Sequence, residues 1–495
     1  MRLILLSLLS QNRVKNKNVL SFCIFLLFLV VNSLYLINNE LLIMYRKLCY
    51  VIFFLSCSAF IIILNTRNSF FINNNSSISL KELKKIIRVF TIVKENYVKE
   101  VDSDSIVNNA ISGMLSRLDP HSSYLDAEDY NDIKAVIHGE FGGLGMEVSI
   151  EDNKGIRVVS TLKSTPAADA GIISGDYIVK INDILTRGIS LSKVINMTRG
   201  EPKSSVTLTI LRGDDHITLE VIRDTMKINS VNCKLTNENI LYIGITQFQE
   251  NTLSDMVRSL QNIVDNDTQL YGIILDLRNN PGGLLSSAIG ISGAFLPKGS
   301  LVVSTVGRSI EHDRKYFSIP EEYSIDGSDD LKLLPTWFKN IKMVVLVNSV
   351  SASASEIVAG AMQDHSRAKI LGNKTFGKGS VQTIIPLDES SAVKLTTSLY
   401  FTPSGRSIQA TGIIPDYIIS NAHSDNLVSA QILRESDLYN HIKNDNKTNY
   451  EDYKELFDDR YICSNTIDAK FELEGLNDFQ LREAISIVLD ENYCL

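Results

Sequence analysis

Two short stretches hold residue types that could carry out hydrolytic chemistry. The first is NSVSASASE, residues 348–356, with Ser353 at its centre. It follows an apolar, β-branched run at 341–347 that reads as a buried strand. It precedes 354–364, where Ile357, Val358, Ala361 and Met362 recur at helical spacing. A serine on a strand-to-helix turn stands clear of the sheet, and the helix N-terminus offers unpaired N–H groups and partial positive charge to a developing oxyanion. Serine there is also the ordinary helix N-cap, so the turn alone does not make a nucleophile. The second stretch is FGKGSVQ, residues 376–382, with Lys378 between two glycines. A lysine kept from water loses proton affinity and can serve as a general base. The pattern of a phosphate-binding loop is absent. Gln382 lies four residues on, about 13 Å away if the chain is extended, so the loop must curl for Gln382 to orient Lys378.

A third stretch, RNNPGG at 278–283, follows the apolar run 270–277 and leads into an apolar helix from Leu284. Strand, glycine turn and helix recur here as they do at Ser353. Facing turns can bring backbone N–H groups to the nucleophile, which makes Gly282 or Gly283, with Ala354, the candidate oxyanion donors. A structural turn needing positive φ is the competing reading. Asp276 and Arg278 read as a strand-end ion pair. His365 sits on the nucleophile's own helix, about three turns from Ser353, so a serine–histidine–aspartate hydrolase is disfavoured.

SASASEIVAGAMQDHSRAKILGNKTFGKGSVQ closely resembles the active-site segment of the carboxy-terminal processing peptidases, or tail-specific proteases, which are serine endopeptidases with a Ser/Lys dyad. Matched residue by residue, the resemblance implies Ser353 as nucleophile, Lys378 as general base and Gln382 as the residue orienting the lysine, with Ser351 and Ser355 structural. It implies an α/β protease core of crotonase/Clp-protease-like layers, an acyl-enzyme and no cofactor. It runs from about residue 79 to about 411, and SRLDPHSSYL at 116–125 and TPSG at 402–405 belong to it. His121, in the former, reads as structural.

Residues 139–225 form a separate block. FGGLGMEV at 141–148 is a glycine-rich loop entering a strand, whose N–H groups can hold a carboxylate while the strand edge pairs with a peptide. With STPAADAG at 164–171 and SGDYIVKIN at 174–182, it resembles a PDZ domain. That resemblance implies capture of a substrate's free C-terminus by Gly143, Leu144 and Gly145. Apolar tails are expected, since Leu144, Met146 and Val148 line the loop and strand. The alternative is a non-catalytic PDZ scaffold, against which the intact Ser353, Lys378 and Gln382 speak.

The elements that must position these residues divide into membrane-directed segments and linker at 1–77, a helical region at 78–135, the PDZ-like block at 139–225, the protease core at 226–420 and a helical C-terminal region at 421–495. Alternating strands and helices in the core argue α/β layers. Residues 306–340, with the only tryptophan, Trp337, read as an irregular surface insertion. A last amphipathic helix is expected near 479–489 and could serve assembly into a homo-oligomer.

At 495 residues the chain is too long for one core. Its net charge of −8 and lack of a basic run exclude an obvious nucleic-acid surface. No metal-ligand spacing occurs among its His and Cys residues. Of six cysteines, Cys463 and Cys494 could pair in an oxidising compartment, but free thiols are expected. Two apolar stretches, 19–37 and 48–64, approach membrane-spanning length. If both span, the basic residues at 2–17 lie on the protease's side, against the positive-inside rule when that side is outside. A start at Met44 removes the conflict and makes Arg46-Lys47 the basic flank of 48–64. The expectation is an uncleaved anchor with the catalytic part outside the cytoplasm, in a bacterial periplasm.

Overall fold

The computed structural model describes residues 78–151, 155–263, 269–324, 327–419, 433–444, 461–462 and 478–490. The apolar stretches at 19–37 and 48–64, the alternative start at Met44 and the Cys463–Cys494 pairing lie outside them. Among the described residues no helix is long and apolar enough to cross a membrane.

The chain divides into two units, 1–101 and 102–495. Described in the first is helix α1 (Leu80–Asn96), opened by a capping box in which Ser79 and Glu82 exchange hydrogen bonds. The second unit begins with α2 (Ser103–Leu115), β1 (Ser123–Leu125) and α3 (Ala127–His138). Asp102 caps α2 by accepting the Ser105 N–H, which fixes where this helix starts.

Next come β2 (Glu140–Gly143), β3 (Met146–Glu151), β4 (Gly155–Thr161), β5 (Tyr177–Ile181), β6 (Ile184–Leu185), α4 (Leu191–Thr198), β7 (Ser205–Arg212), β8 (Asp215–Ile222) and β9 (Asp224–Lys227). β2 pairs antiparallel with β9, closing the block at its base. The six-stranded sheet runs β3-β4-β5-β7-β8, with β6 on β5. β3 has one strand neighbour, β4, so its other edge is open. Alternate residues such as Ile156, Val158, Leu208 and Ile210 point inward, where Val194 of α4 meets them.

The rest is built on a seven-stranded sheet. Its strands are β10 (Val231–Leu235), β11 (Ile240–Ile245), β12 (Gly272–Asp276), β15 (Met343–Val347), β16 (Lys369–Gly372), β19 (Tyr417–Ile418) and β20 (Tyr461–Ile462); β13 (Leu301–Gly307), β14 (Arg314–Phe317), β17 (Ser380–Pro386) and β18 (Ala392–Phe401) belong to an antiparallel sheet with β1. From β11 onward the pairings of the larger sheet are parallel. Every residue of β12 and β15 is buried, because both faces are covered. Ile273, Leu275, Val345 and Val347 face α5 (Thr252–Ile263), α6 (Leu285–Phe295) and α7 (Ala354–Asp364). The alternating Ile274, Val344 and Leu346 face α8 (Phe479–Leu489).

Residues 306–340 are more ordered than their polarity suggests. Part of the stretch is β14, and Phe338 is buried with its ring 5.2 Å from that of Phe295. The expected surface character remains elsewhere in the stretch, where Ile310, Leu333 and Trp337 are exposed.

Candidate active site

β12 and β15 are parallel neighbours, so the turns leaving their carboxyl ends lie side by side, where ligands bind in open α/β sheets. The first turn carries RNNPGG and the second NSVSAS. Asn280, fully buried, joins them. Its carbonyl accepts the Ala352 N–H at 3.1 Å and the Ser355 hydroxyl at 2.9 Å, and its side chain accepts the Gly282 N–H at 2.8 Å while donating to the Ile245 carbonyl. Ser351 donates to the Leu277 carbonyl at 2.7 Å. Ser351 and Ser355 are thus both used by the framework.

Ser353 differs from its neighbours. Within residues 351–362 every residue is buried except Ser353. Its φ of 55° and ψ of −114° lie outside the regions favoured by side-chain-bearing residues, a strain typical of functional turns. Its N–H donates to Glu356 Oε2 at 2.8 Å, which holds the strain in place. It precedes α7, whose first N–H, that of Ala354, makes no hydrogen bond among the described residues. A methyl on Gly282 would fall 2.8 Å from the Ser353 Cβ, so the glycine turn lies against the serine. The two glycines are not equivalent donors. The Gly282 N–H is taken by Asn280, whereas the Gly283 N–H has no bond among the described residues. Gly283 has a φ of 142° and is pinned to Phe248, whose carbonyl a methyl there would strike.

The lysine loop is fixed through its backbone. Thr375 N–H donates to Ile413 O, Phe376 N–H to Ser351 O, and Gly377 and Lys378 N–H to Glu356 at 2.7 and 2.9 Å. Gly379 N–H donates to Gln409 Oε1. The carbonyls of residues 375–379 receive, in order, Arg434 Nη1, Glu435 N–H, Ala410 N–H, the Tyr400 hydroxyl and Tyr400 N–H. Each backbone donor and acceptor of the loop is therefore satisfied, and the loop is held on all sides. The Lys378 amine is different: it hydrogen-bonds neither Ser353 nor Gln382 among the described residues. Burial, and then the nearby Lys394 ammonium, pull its pKa below the usual lysine value, while Glu435, Glu356 and Asp119 pull it back.

Gln382 lies in β17 and donates to Ser380 Oγ at 3.0 Å and Thr396 Oγ1 at 3.3 Å. The loop does not curl to bring it onto Lys378. His365 caps the far end of α7 and bonds the Leu301 carbonyl at 2.7 Å, well away from Ser353.

Two residues that sequence reasoning passed over link the serine turn to the lysine loop. Glu356, fully buried, accepts from Ser353 N–H, Gly377 N–H, Lys378 N–H and, at 2.6 Å, Thr375 Oγ1. Burial raises its pKa to about 7 against these four bonds. Its signal was present: Ser353-Ala-Ser-Glu356 has the capping-box spacing. Tyr400, buried in β18, donates to the Lys378 carbonyl, and burial holds its pKa well above the usual phenol value. Nothing in the local sequence singles it out.

At the PDZ-like block, Gly143 closes β2 opposite Asp224, and the Leu144 side chain is buried in the block's core rather than lining a groove. The N–H groups of Leu144 and Gly145 make no hydrogen bonds among the described residues. They precede the open edge of β3, with Met146 and Val148 half-buried beside it. Gly145, at φ 74°, lies so close to Thr165 that a side chain would collide.

Comparison with known proteins places the chain in a family. Residues 239–419 match peptidase family S41, 65–129 the N-terminal domain of the activating protease CtpB, and 135–211 the PDZ domain. A carboxy-terminal-processing protease of Bartonella bacilliformis is 43% identical over 380 residues, 75% of this chain and 82% of that protein. A probable CtpA-like serine protease of Staphylococcus epidermidis is 37% identical over 68% of this chain and 65% of its own length. Among solved structures, the photosystem II D1 C-terminal processing protease aligns over 69% of this chain and 93% of its own, at 26% identity and a TM-score of 0.37. The chain belongs to peptidase family S41, as a serine peptidase of the carboxy-terminal-processing type that carries a PDZ domain.

Proposed function

We propose that the protein is an endopeptidase that captures proteins by their C-terminal tails and cleaves them with Ser353 and Lys378. The observation carrying this reading is Ser353 itself: strained, the one residue of 351–362 that is not buried, and followed by the Ala354 N–H, which like that of Gly283 makes no hydrogen bond among the described residues. Neutral Lys378 Nζ takes the Ser353 hydroxyl proton as Oγ bonds to the substrate carbonyl carbon. The resulting oxyanion accepts from the Ala354 and Gly283 N–H groups. Collapse breaks the C–N bond, Lys378 returns the proton to the departing amine, and an ester to Ser353 remains. Lys378 then deprotonates a water that hydrolyses the ester. No hydrogen bond joins the Ser353 hydroxyl to the Lys378 amine among the described residues, and catalytic hydrogen bonds often tighten only with substrate bound. Gln382 is assigned here to shaping the lysine's surroundings through Ser380 and Thr396.

The tail's carboxylate would be held by the N–H groups of Leu144 and Gly145, with Gly143 leading into the loop, and the tail would add to the edge of β3. The apolar stretches at 19–37 and 48–64 support membrane attachment with the catalytic part outside the cytoplasm. A reporter fused after residue 80 should be active only in the exported compartment. The experiment that tests the catalytic reading is cleavage of a protein with an apolar C-terminus by the full chain, with Ser353→Ala and Lys378→Ala alongside. Loss of turnover in both, with intact fold, is expected; a scaffold would leave the substrate bound and uncut by all three.

A further inference from the structure

The lysine loop is held from one side by Glu356 and from the other by a second buried carboxylate, that of Glu435. Glu435 is fully buried and comes from the segment 433–444. Its N–H donates to the Phe376 carbonyl at 3.2 Å, two residues before Lys378. Its oxygens lie 3.0 and 2.8 Å from His121 Nε2, and Oε1 also accepts from Gln409 Nε2 at 3.0 Å. The same Gln409 accepts the Gly379 N–H, immediately after the lysine. Arg434 adds a bond to the Thr375 carbonyl at 3.3 Å. His121 is fixed in turn, since Asp119 accepts its N–H at 2.8 Å and also binds Ser122 and, at 3.0 Å, Thr396 Oγ1 of β18. The charged groups around Lys378 are thus Lys394 from β18, Glu356 from α7, Asp119 from the segment before β1, and Glu435. A buried carboxylate is costly, and well-packed apolar residues often serve stability as well or better.

We propose that Glu435, clasped by His121 and Gln409, is a positioning residue for Lys378: it anchors the lysine loop on both sides of the lysine, through its own N–H on the Phe376 carbonyl and through Gln409 on the Gly379 N–H, and brings a carboxylate into the lysine's surroundings. The segment 433–444 is then part of the base's housing, and its seat on His121 couples the region before β1 to the catalytic loop. This rests on the reading of Ser353 and Lys378 as the reacting pair. The sign follows from the charges. Glu435 favours the protonated amine and Lys394 the neutral one, so removing either shifts the acid limb of activity in opposite directions.

The test is the pH profile of kcat/KM for the full chain and its Glu435→Gln, Glu435→Met, Glu435→Asp, Lys394→Gln and Lys378→Ala variants. Glu435→Gln and Glu435→Met should move the acid limb to lower pH, with kcat reduced and KM little changed. Glu435→Asp, which keeps the charge, should restore the limb to its original position. Lys394→Gln should move it to higher pH. A folded Glu435→Gln or Glu435→Met enzyme with an unmoved acid limb would overturn the proposal. So would failure of both to fold, which would make Glu435 a residue of stability rather than tuning. Full activity in Lys378→Ala would instead overturn the dyad, whatever Glu435 does.

Discussion

Ser353 is held in a conformation that serine adopts only under constraint, and the constraint is Glu356. One carboxylate fixes the backbone of both Ser353 and Lys378, the proposed nucleophile and base, so it acts on their relative position. Replacing Glu356 with Gln puts an amide N–H where an acceptor was needed. Activity should fall by about a hundredfold or more, with a stability loss of roughly 2–4 kcal/mol in urea titration. Glu356 also makes stability depend on pH. Its folded pKa of about 7 lies above the ordinary carboxyl value, so its contribution is complete below that ordinary value and is lost as pH rises through about 7. From pH 5 to 8 the wild type should lose stability relative to Glu356→Gln, on the order of 2 kcal/mol; parallel curves would count against the raised carboxyl. Lys378 runs the other way for activity. The amine must be neutral, so turnover should rise with pH through its depressed pKa. His365→Ala should leave most activity, because its imidazole serves the Leu301 carbonyl.

At the scale of elements, two parallel strands deliver two turns to one place, and small residues set how closely those turns approach. Gly283→Ala would drive a methyl into the Phe248 carbonyl beside an oxyanion donor. Its kcat should drop by about a hundredfold or more with KM less affected. On the opposite face, α8 seals the sheet with Leu481, Ile485 and Val488, and Asp478 at its start binds Arg278, which also bonds Asp276 and Gln480. Ile485→Ala should cost about 2–4 kcal/mol in chemical denaturation while leaving the residual folded enzyme's KM unchanged. Much of this was legible in sequence. The two-faced burial of β12 and β15 shows as unbroken apolar runs, and α7 and α8 show as helical spacing. Ser353 and Lys378 stand out because glycine and serine turns follow apolar strands. Residues 306–340 were misjudged because Phe338 is a single buried anchor in polar surroundings, a contact with Phe295 that no local period reveals. The partners of Gln382 were likewise illegible. Its place in a strand, facing Thr396, depends on the register of β17 against β18.

At the scale of the whole molecule, distant stretches meet at the lysine loop. His121, Gln409 and Glu435 are far apart in sequence, and no spacing rule connects them; only the folded chain brings them together. Under the proposed function, the PDZ domain would add the substrate's tail to this assembly and raise the tail's local concentration near Ser353. Amidating a substrate's C-terminus, or ending it in Asp, should slow cleavage without moving the cut site. Equal rates for matched acid and amide substrates would leave the block a structural role. The central claim is that Ser353 is made nucleophilic by Lys378. It is tested most directly by the rate at which a fluorophosphonate labels the full chain across pH, with the modified residue mapped by mass spectrometry. Labelling is expected on Ser353, rising with pH in the wild type, absent in Ser353→Ala and at least about a hundredfold slower in Lys378→Ala at neutral pH. Labelling of Lys378→Ala at the wild-type rate, or of a residue other than Ser353, would contradict it.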